Sequence, residues 1–332
     1  MDAAAPVRLG RTDLTVTRLG LGLAPIGGLY RPVGDEQAVA TVDRAWDRGL
    51  RLFDTAPLYG YGLSERRAGR ALAPRPRDSY VVSTKVGRLL EPGGTDIEDV
   101  WPEAAATGVT PRFDFTYEAV RASLESSLER LGLDRVDVLH LHDPDDHFDA
   151  ALGEAYRALA DLRACGVIGA VGAGMNQAAM LTRFAREAAR PGFDCFLLAG
   201  RYTLLDQSGL DGLLPLCAQR GIAVLAGGVY NSGLLVDPSP TSHFDYAPPP
   251  APVLAKALAI RRVCDRYGVP LPAAAIQFPL GHPAVTSVVI GARSPEEVDE
   301  NADLFAYPIP PALWADLRAE GLLPAHVPVP TG

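Results

Sequence analysis

Lysine is nearly missing from this chain: among 31 basic residues only Lys85 and Lys256 are lysine, and the rest are arginine. Arginine stays protonated in proteins, whereas burial and neighbours can move a lysine's pKa, so a lysine that survives in this composition is a candidate for chemistry. Runs of basic residues are missing too. With a formal net charge of −9, that excludes nucleic acid as a general partner, because phosphate backbones require concentrated positive charge. No stretch of about 18 apolar residues occurs, so no membrane span is expected, and residues 1–11 lack the apolar segment of a signal peptide. Cys165, Cys195, Cys217 and Cys264 show no C-x-x-C spacing and lie in or beside apolar segments, the pattern of buried free thiols in a reducing compartment. A soluble, cytoplasmic protein follows as the expectation. Dinucleotide and phosphate-loop fingerprints are absent as well: Gly20-Leu-Gly22 and Gly169-Ala-Val-Gly172-Ala-Gly174 fall short of G-x-G-x-x-G, and no Walker sequence occurs. A Rossmann domain is therefore not expected.

What the chain does contain is a repeated device. Leu52-Phe53-Asp54, Tyr80-Val-Val-Ser-Thr-Lys85 and Val136-Asp-Val-Leu-His140-Leu-His142 are apolar runs of strand length, each ending in a residue able to hold or move a proton. Strands are predicted over 19–23, 50–54, 80–85, 136–142, 168–173, 193–198, 222–226 and 287–290. Helices are predicted over 35–48, 64–73, 116–131, 148–165, 178–189, 210–220, 253–267 and 295–304, with an extra helix over 271–280. Eight strands, each followed by a helix, is the count of a (β/α)8 TIM barrel, here as one domain spanning 1–332. Residues 1–18 are read as an N-terminal β-hairpin able to plug one end of the barrel. The long loops 87–115 and 227–252 and the proline-rich tail 310–332 are expected over the C-terminal face.

Parallel strands present their C-terminal ends together, so Asp54, Tyr59, Lys85 and His142 are expected to converge on that rim. Asp54 would hold the Lys85 ammonium charged and fixed, and that charge would pull the Tyr59 phenol below its usual pKa of about 10. His142 would donate to a substrate oxygen or share the proton load. His140 and His142 also form an H-x-H pair, which invites a second reading as a metal-dependent hydrolase. His243, His282 and His326 do not supply the further ligands at strand ends, so the preferred reading has no metal, and His140 is read as a satisfied core histidine. The Gly228-Val229-Tyr230-Asn231-Ser232-Gly233 and Gly291-Ala-Arg293-Ser-Pro segments follow the seventh and eighth strands, where barrels often hold phosphate.

Phe53-Asp-Thr-Ala-Pro-Leu-Tyr59-Gly60, Ser83-Thr-Lys85 and Asp137-Val-Leu-His-Leu-His142 together resemble the signature strands of the aldo-keto reductase family, over nearly the whole chain. Gly22-Leu-Ala-Pro-Ile-Gly-Gly-Leu-Tyr30, Lys85-Val-Gly-Arg-Leu-Leu90, His142-Asp-Pro-Asp-Asp-His147 and Gly172-Ala-Gly-Met-Asn-Gln177 are similar to its aldose 1-dehydrogenase branch, which includes L-fucose and D-threo-aldose dehydrogenases, with L-galactose and pyridoxal 4-dehydrogenases as relatives. The resemblance implies hydride exchange between a nicotinamide and a carbonyl or alcohol carbon. Tyr59 would be the general acid or base, Lys85 and Asp54 its tuners, and His142 the residue that orients substrate. For a sugar, the reaction is oxidation of the anomeric carbon to a lactone; pyridoxal oxidation and general aldehyde or ketone reduction are the alternatives. The cofactor would lie along Gly22, Leu23, Asp54, Gly174, Met175, Asn176, Gly228, Val229, Asn231, Ser232, Gly233, Gly291, Arg293, Glu297 and Asn301. Many members place Ser-Asn and Gln where this chain has Gly174-Met175 and Ala199, leaving Asn176 to take over the grip on the nicotinamide, and Gly227 stands in place of a stacking aromatic. Glu297 stands where NADP-preferring members often have arginine, so NAD is expected over NADP, with Arg293 as the residue that would admit NADP. Ser294-Pro-Glu-Glu297 also reads as a capping box with proline at the first helical position. Tyr30, Trp101, Phe113, Asp143, Tyr230 and Tyr246 are candidate pocket residues for a small sugar or aldehyde. A monomer or weak homo-oligomer is expected.

Overall fold

The computed structural model describes residues 1–93, 98–245 and 247–331. Strands β1 (Pro6–Arg8) and β2 (Thr15–Thr17) form the predicted antiparallel hairpin, with Val7 opposite Val16. Leu9 and Val16 are sealed in one apolar cluster with Leu52, Val81, Val138 and Leu225 from the barrel interior, so the hairpin stoppers the N-terminal end of the barrel. Full burial of each such side chain contributes roughly 2 kcal/mol.

The barrel strands are β3 (Leu19–Gly22), β4 (Leu52–Asp54), β5 (Val81–Val86), β8 (Val138–His142), β9 (Ala170–Met175), β10 (Cys195–Ala199), β11 (Ala223–Gly227) and β12 (Val285–Gly291), and β12 pairs back onto β3 to close the sheet. Between them run α1 (Asp35–Asp47), α2 (Leu63–Leu72), α3 (Tyr117–Leu131), α4 (Phe148–Ala150) leading through one π-type turn into α5 (Tyr156–Ala164), α6 (Ala178–Glu187), α7 (Leu213–Arg220), α8 (Ala251–Arg266) and α9 (Leu271–Gln277). After β12 come α10 (Pro295–Ala306) and α11 (Pro311–Ala319). The main apolar core fills the space between the outward faces of the strands and these helices.

Register decides what shares the rim. Asp54 pairs with Gly22 and Ser83, Lys85 with His140, and His142 with Gly174. Side chains alternate along a strand, so Ser83 and Lys85 point into the barrel while Thr84 between them points outward, where it donates to Glu65 at 2.7 Å.

Four expectations change. The 87–115 loop carries an antiparallel ribbon of β6 (Arg88–Pro92) and β7 (Val109–Phe113), in which Arg88 faces Phe113 across the register. The tail does not cross the catalytic rim: it forms α11 and then packs beside Gly281 and Tyr202, and none of its described residues lines the pocket near Tyr59. Cys165 is exposed, whereas Cys195, Cys217 and Cys264 are buried free thiols. Strand β9 lies two residues later than predicted, which puts Gly174 and Met175 on the strand and not in the loop after it. Among the described residues no helix is long and apolar enough to cross a membrane.

Candidate active site

The chain leaves β4 through a tight loop that carries Tyr59 back over the barrel mouth. Gly60, at φ 61°, permits this, because a Cβ there would stand 2.0 Å from the Gly27 carbonyl oxygen. Lys85 Nζ donates to Asp54 Oδ2 at 2.7 Å and to the Thr55 carbonyl at 2.8 Å, while Ser83 Oγ donates to Asp54 Oδ1 at 2.6 Å. Both carboxylate oxygens are thus engaged, and Lys85 is anchored at 1% exposure. Its ammonium lies 4.7 Å from the centroid of the Tyr59 ring, close enough for its charge to act on the phenol. Burial opposes the Lys85 charge, yet Asp54 and Tyr59 outweigh it and raise the lysine above its ordinary pKa.

The expected direction for Tyr59 is reversed. Burial pushes the phenol up to about 12, and the pull of Lys85 recovers only part of that. Tyr59 is half-buried, with Trp101 stacked beside it at 5.7 Å and His142 edge-on at 5.8 Å. At neutral pH it is therefore a phenol, ready to give a proton. His142 is held well below 6.5, first by burial and then by Lys85 and Arg88. A neutral imidazole can donate one hydrogen bond and accept another, but it carries no proton load, so that half of the expectation falls. Its Nε2 lies 3.5 Å from Asp143 Oδ2.

His140 is a core residue, as predicted, but not a satisfied one: neither ring nitrogen has a partner among the described residues. Burial lowers its pKa to about 4. No group of three or more His, Cys, Asp or Glu side chains among the described residues is placed to hold a metal ion, which removes the ligand set the hydrolase reading required.

A cavity of about 580 Å³ opens over this constellation. Of the predicted residues, Tyr59, Lys85, Trp101, Phe113, Asp143, His142, Gly174, Met175 and Asn176 line it, with Asp54 just behind Lys85. Arg88, Glu98, Asp145, Asp146, His147 and Gln177 line it too, outside the residues that the sequence singles out for the pocket. Tyr30 and Tyr230 do not. Tyr30 is 37% exposed, with its ring 6.2 Å from that of His243, and the Tyr230 hydroxyl turns away to donate to Asn301 Oδ1 at 2.9 Å. Tyr246 lies outside the described residues. A larger cleft of about 790 Å³, beside Phe193 and Ile222 at the N-terminal ends of β10 and β11, contains none of these groups.

The remaining predicted residues gather beside the cavity, at the ends of β3, β11 and β12. Gly22 pairs with Gly291, and Asn301 Nδ2 donates to the Gly291 carbonyl at 3.5 Å. Leu23 and Val229 are sealed in the core, so only their main-chain atoms can face a ligand. Asn231 and Ser232 adopt left-handed conformations, as do Gly228 and Gly233. Asn231 Nδ2 donates to the Gly200 carbonyl at 3.4 Å, and its buried Oδ1 has no partner among the described residues. At α10 the Ser294 hydroxyl accepts from the Glu297 N–H at 3.3 Å, and the Glu297 carboxylate accepts from the Arg293 N–H at 2.8 Å, one residue earlier than in an ideal capping box. The Arg293 side chain donates to the Leu29 carbonyl at 3.4 Å.

The sequence profile of the aldo/keto reductase family matches residues 18–320. The D-threo-aldose 1-dehydrogenase of a Pseudomonas species is 43% identical over 94% of this chain and 96% of its own. The pyridoxal 4-dehydrogenase of Microbacterium luteolum is 43% identical over 97% of this chain and 99% of its own. Among solved structures, the glycerol dehydrogenase of Gluconobacter oxydans superposes with a TM-score of 0.76 at 27% identity, covering 99% of this chain and 98% of that one.

Proposed function

The chain belongs to the aldo/keto reductase family, and on that footing we propose that it oxidises the anomeric carbon of a free cyclic aldose to the lactone, with NAD preferred over NADP and Tyr59 as the proton-transfer group. The observation that carries this reading is the Tyr59 phenol held between the Lys85 ammonium and His142 on the floor of one pocket.

Residues beside the pocket fit a nicotinamide. Gly174 leaves the floor without a side chain, and the Asn176 amide lines the cavity beside it as a partner for a carboxamide. When bound, the cofactor supplies the hydride acceptor for oxidation and the donor for reduction.

The protein's part is positioning and proton transfer. In reduction the Tyr59 phenol gives its proton to the carbonyl oxygen; in oxidation its phenolate form takes the hydroxyl proton. Lys85 stabilises the phenolate, Asp54 and Ser83 hold Lys85 in place, and neutral His142 orients the reacting oxygen by a hydrogen bond. For cofactor choice, the Glu297 carboxylate repels a 2′-phosphate, and Arg293 is engaged with Leu29, which supports NAD. Three buried free thiols support a reducing, cytoplasmic location, with a monomer or weak homo-oligomer as the working form.

A second reading is pyridoxal oxidation, favoured by one feature: the Trp101 ring against Tyr59 offers a flat aromatic wall to a pyridine ring. Steady-state assays of the purified protein with NAD and NADP against L-fucose, D-arabinose, L-galactose and pyridoxal decide between them. Failure to oxidise any aldose with either cofactor sinks the primary reading.

A further inference from the structure

The β6–β7 ribbon delivers a second charge pair to the pocket, one that the proton-transfer chemistry does not use. Arg88 Nη2 donates to Asp143 Oδ2 at 2.9 Å, and its guanidinium lies 4.5 Å from the centroid of the Phe113 ring. Both partners are largely withdrawn from water, with side chains 16% and 30% exposed. Asp143 holds a left-handed backbone at φ 42°, which a residue with a Cβ adopts only under constraint; its N–H donates to the Gly174 carbonyl at 3.0 Å. The pair is only half used. Arg88 Nε is buried with no partner, Nη1 reaches Glu98 only at 3.9 Å, and no hydrogen bond reaches Asp143 Oδ1 among the described residues.

Polar groups with hydrogen-bonding capacity to spare beside a reacting centre define a ligand by what would satisfy them. Here Arg88 and Asp143 both line the cavity, the guanidinium with N–H groups that Asp143 does not use and the carboxylate with Oδ1, which no hydrogen bond among the described residues reaches. A vicinal diol matches them, since one hydroxyl can accept from the guanidinium while its neighbour donates to the carboxylate. An anion does not match. Arg88 is shared between Asp143 and Glu98, Lys85 is paired with Asp54, and Asp145 and Asp146 add further negative charge around the same cavity.

We propose that Arg88 and Asp143 form a hydroxyl-binding subsite that selects neutral substrates carrying vicinal hydroxyls next to the reacting carbon and rejects their phosphorylated or carboxylated counterparts. This rests on the dehydrogenase reading above, yet its test does not need a sugar to be the natural substrate. Reduction of glyceraldehyde, of propanal and of glyceraldehyde 3-phosphate is measured with NADH in the wild type and in Arg88→Met, Arg88→Lys and Arg88→Met/Asp143→Asn. The first two substrates share a carbon count and differ in hydroxyls. The ratio of their kcat/KM values should fall by at least about tenfold in Arg88→Met and in the double variant, and Arg88→Lys should recover part of it. Wild-type kcat/KM for glyceraldehyde 3-phosphate should lie at least about tenfold below that for glyceraldehyde. A ratio that stays constant while both substrates decline together reduces Arg88 to a structural strut and overturns the subsite. Turnover of the phosphate ester as fast as the neutral aldehyde overturns the charge argument. A wild type inert toward aldoses but showing these ratios would sink the sugar reading and leave the subsite standing.

Discussion

A Cβ placed on Gly172 would stand 2.1 Å from Nδ1 of His140, so the imidazole occupies the volume that a missing side chain on the next strand provides. The two residues are complementary in shape, and neither ring nitrogen gains a hydrogen bond from the arrangement. Gly172→Ala should therefore destabilise the barrel by roughly 1–3 kcal/mol through overpacking. Adding His140→Ala to it restores the space, so the double variant should be more stable than the two single effects predict by addition. Urea midpoints of the four proteins measure this; strict additivity would show that the two side chains do not compete.

The same histidine makes stability depend on pH. His140 has a pKa near 4 when folded, depressed by burial, against about 6.5 when unfolded, so below about 6.5 the unfolded chain binds the extra proton first. Its contribution is complete above about pH 6.5 and is lost as pH falls through the folded value, amounting to about 2 kcal/mol by pH 5. His140→Leu, which cannot titrate, should lose less stability than the wild type between pH 7 and pH 5. Equal losses in the two proteins would mean that water reaches the imidazole.

How much was readable in advance follows from what each feature depends on. The eight strands and the rim residues Asp54, Lys85 and His142 were legible because apolar runs ending in reactive side chains are local patterns. The β6–β7 ribbon was not: Pro92 and Pro111 argue against strands, and only an edge ribbon tolerates them. Arg88 was hidden with it, although an arginine three residues past the reactive lysine was a signal that could have been followed. Helix α11 has Leu313, Trp314 and Leu317 at helical spacing behind Pro311, a pattern that the surrounding prolines mask as an irregular tail. The sign of the Tyr59 shift is not legible in the sequence, because neighbouring charge can be read from motifs whereas the density of protein around a phenol cannot.

That sign has a kinetic consequence. With the phenol pushed up to about 12, the proton donor needed for reduction is fully present across neutral pH, and the phenolate needed for oxidation is scarce there. Reduction should be flat between about pH 6 and 8, while oxidation should climb with pH through the alkaline range. Because His142 is neutral throughout, neither profile should show a limb near 6.5. Tyr59→Phe should lower kcat by about 10²–10⁴ in both directions. An oxidation profile already level at pH 7 would mean that Lys85 prevails over burial and that the phenol is acidic after all.

Cofactor choice turns on a residue with two duties. Glu297 accepts the Arg293 N–H at 2.8 Å and so helps to start α10, and in the reading proposed above its negative charge would also repel a 2′-phosphate. Replacing it by arginine would disturb both at once and prove little. Glu297→Gln separates them, since the amide oxygen can still accept from Arg293 while the charge is gone. The melting temperature should then change by only a few degrees, as expected for less than about 1 kcal/mol, and the ratio of kcat/KM for NADP over NAD should rise by about tenfold, the scale of one unfavourable charge contact near the surface. Raising the salt concentration should shrink that difference in the wild type, because a repulsion exposed to solvent is screened. If the ratio does not move, the charge of Glu297 does not set cofactor choice.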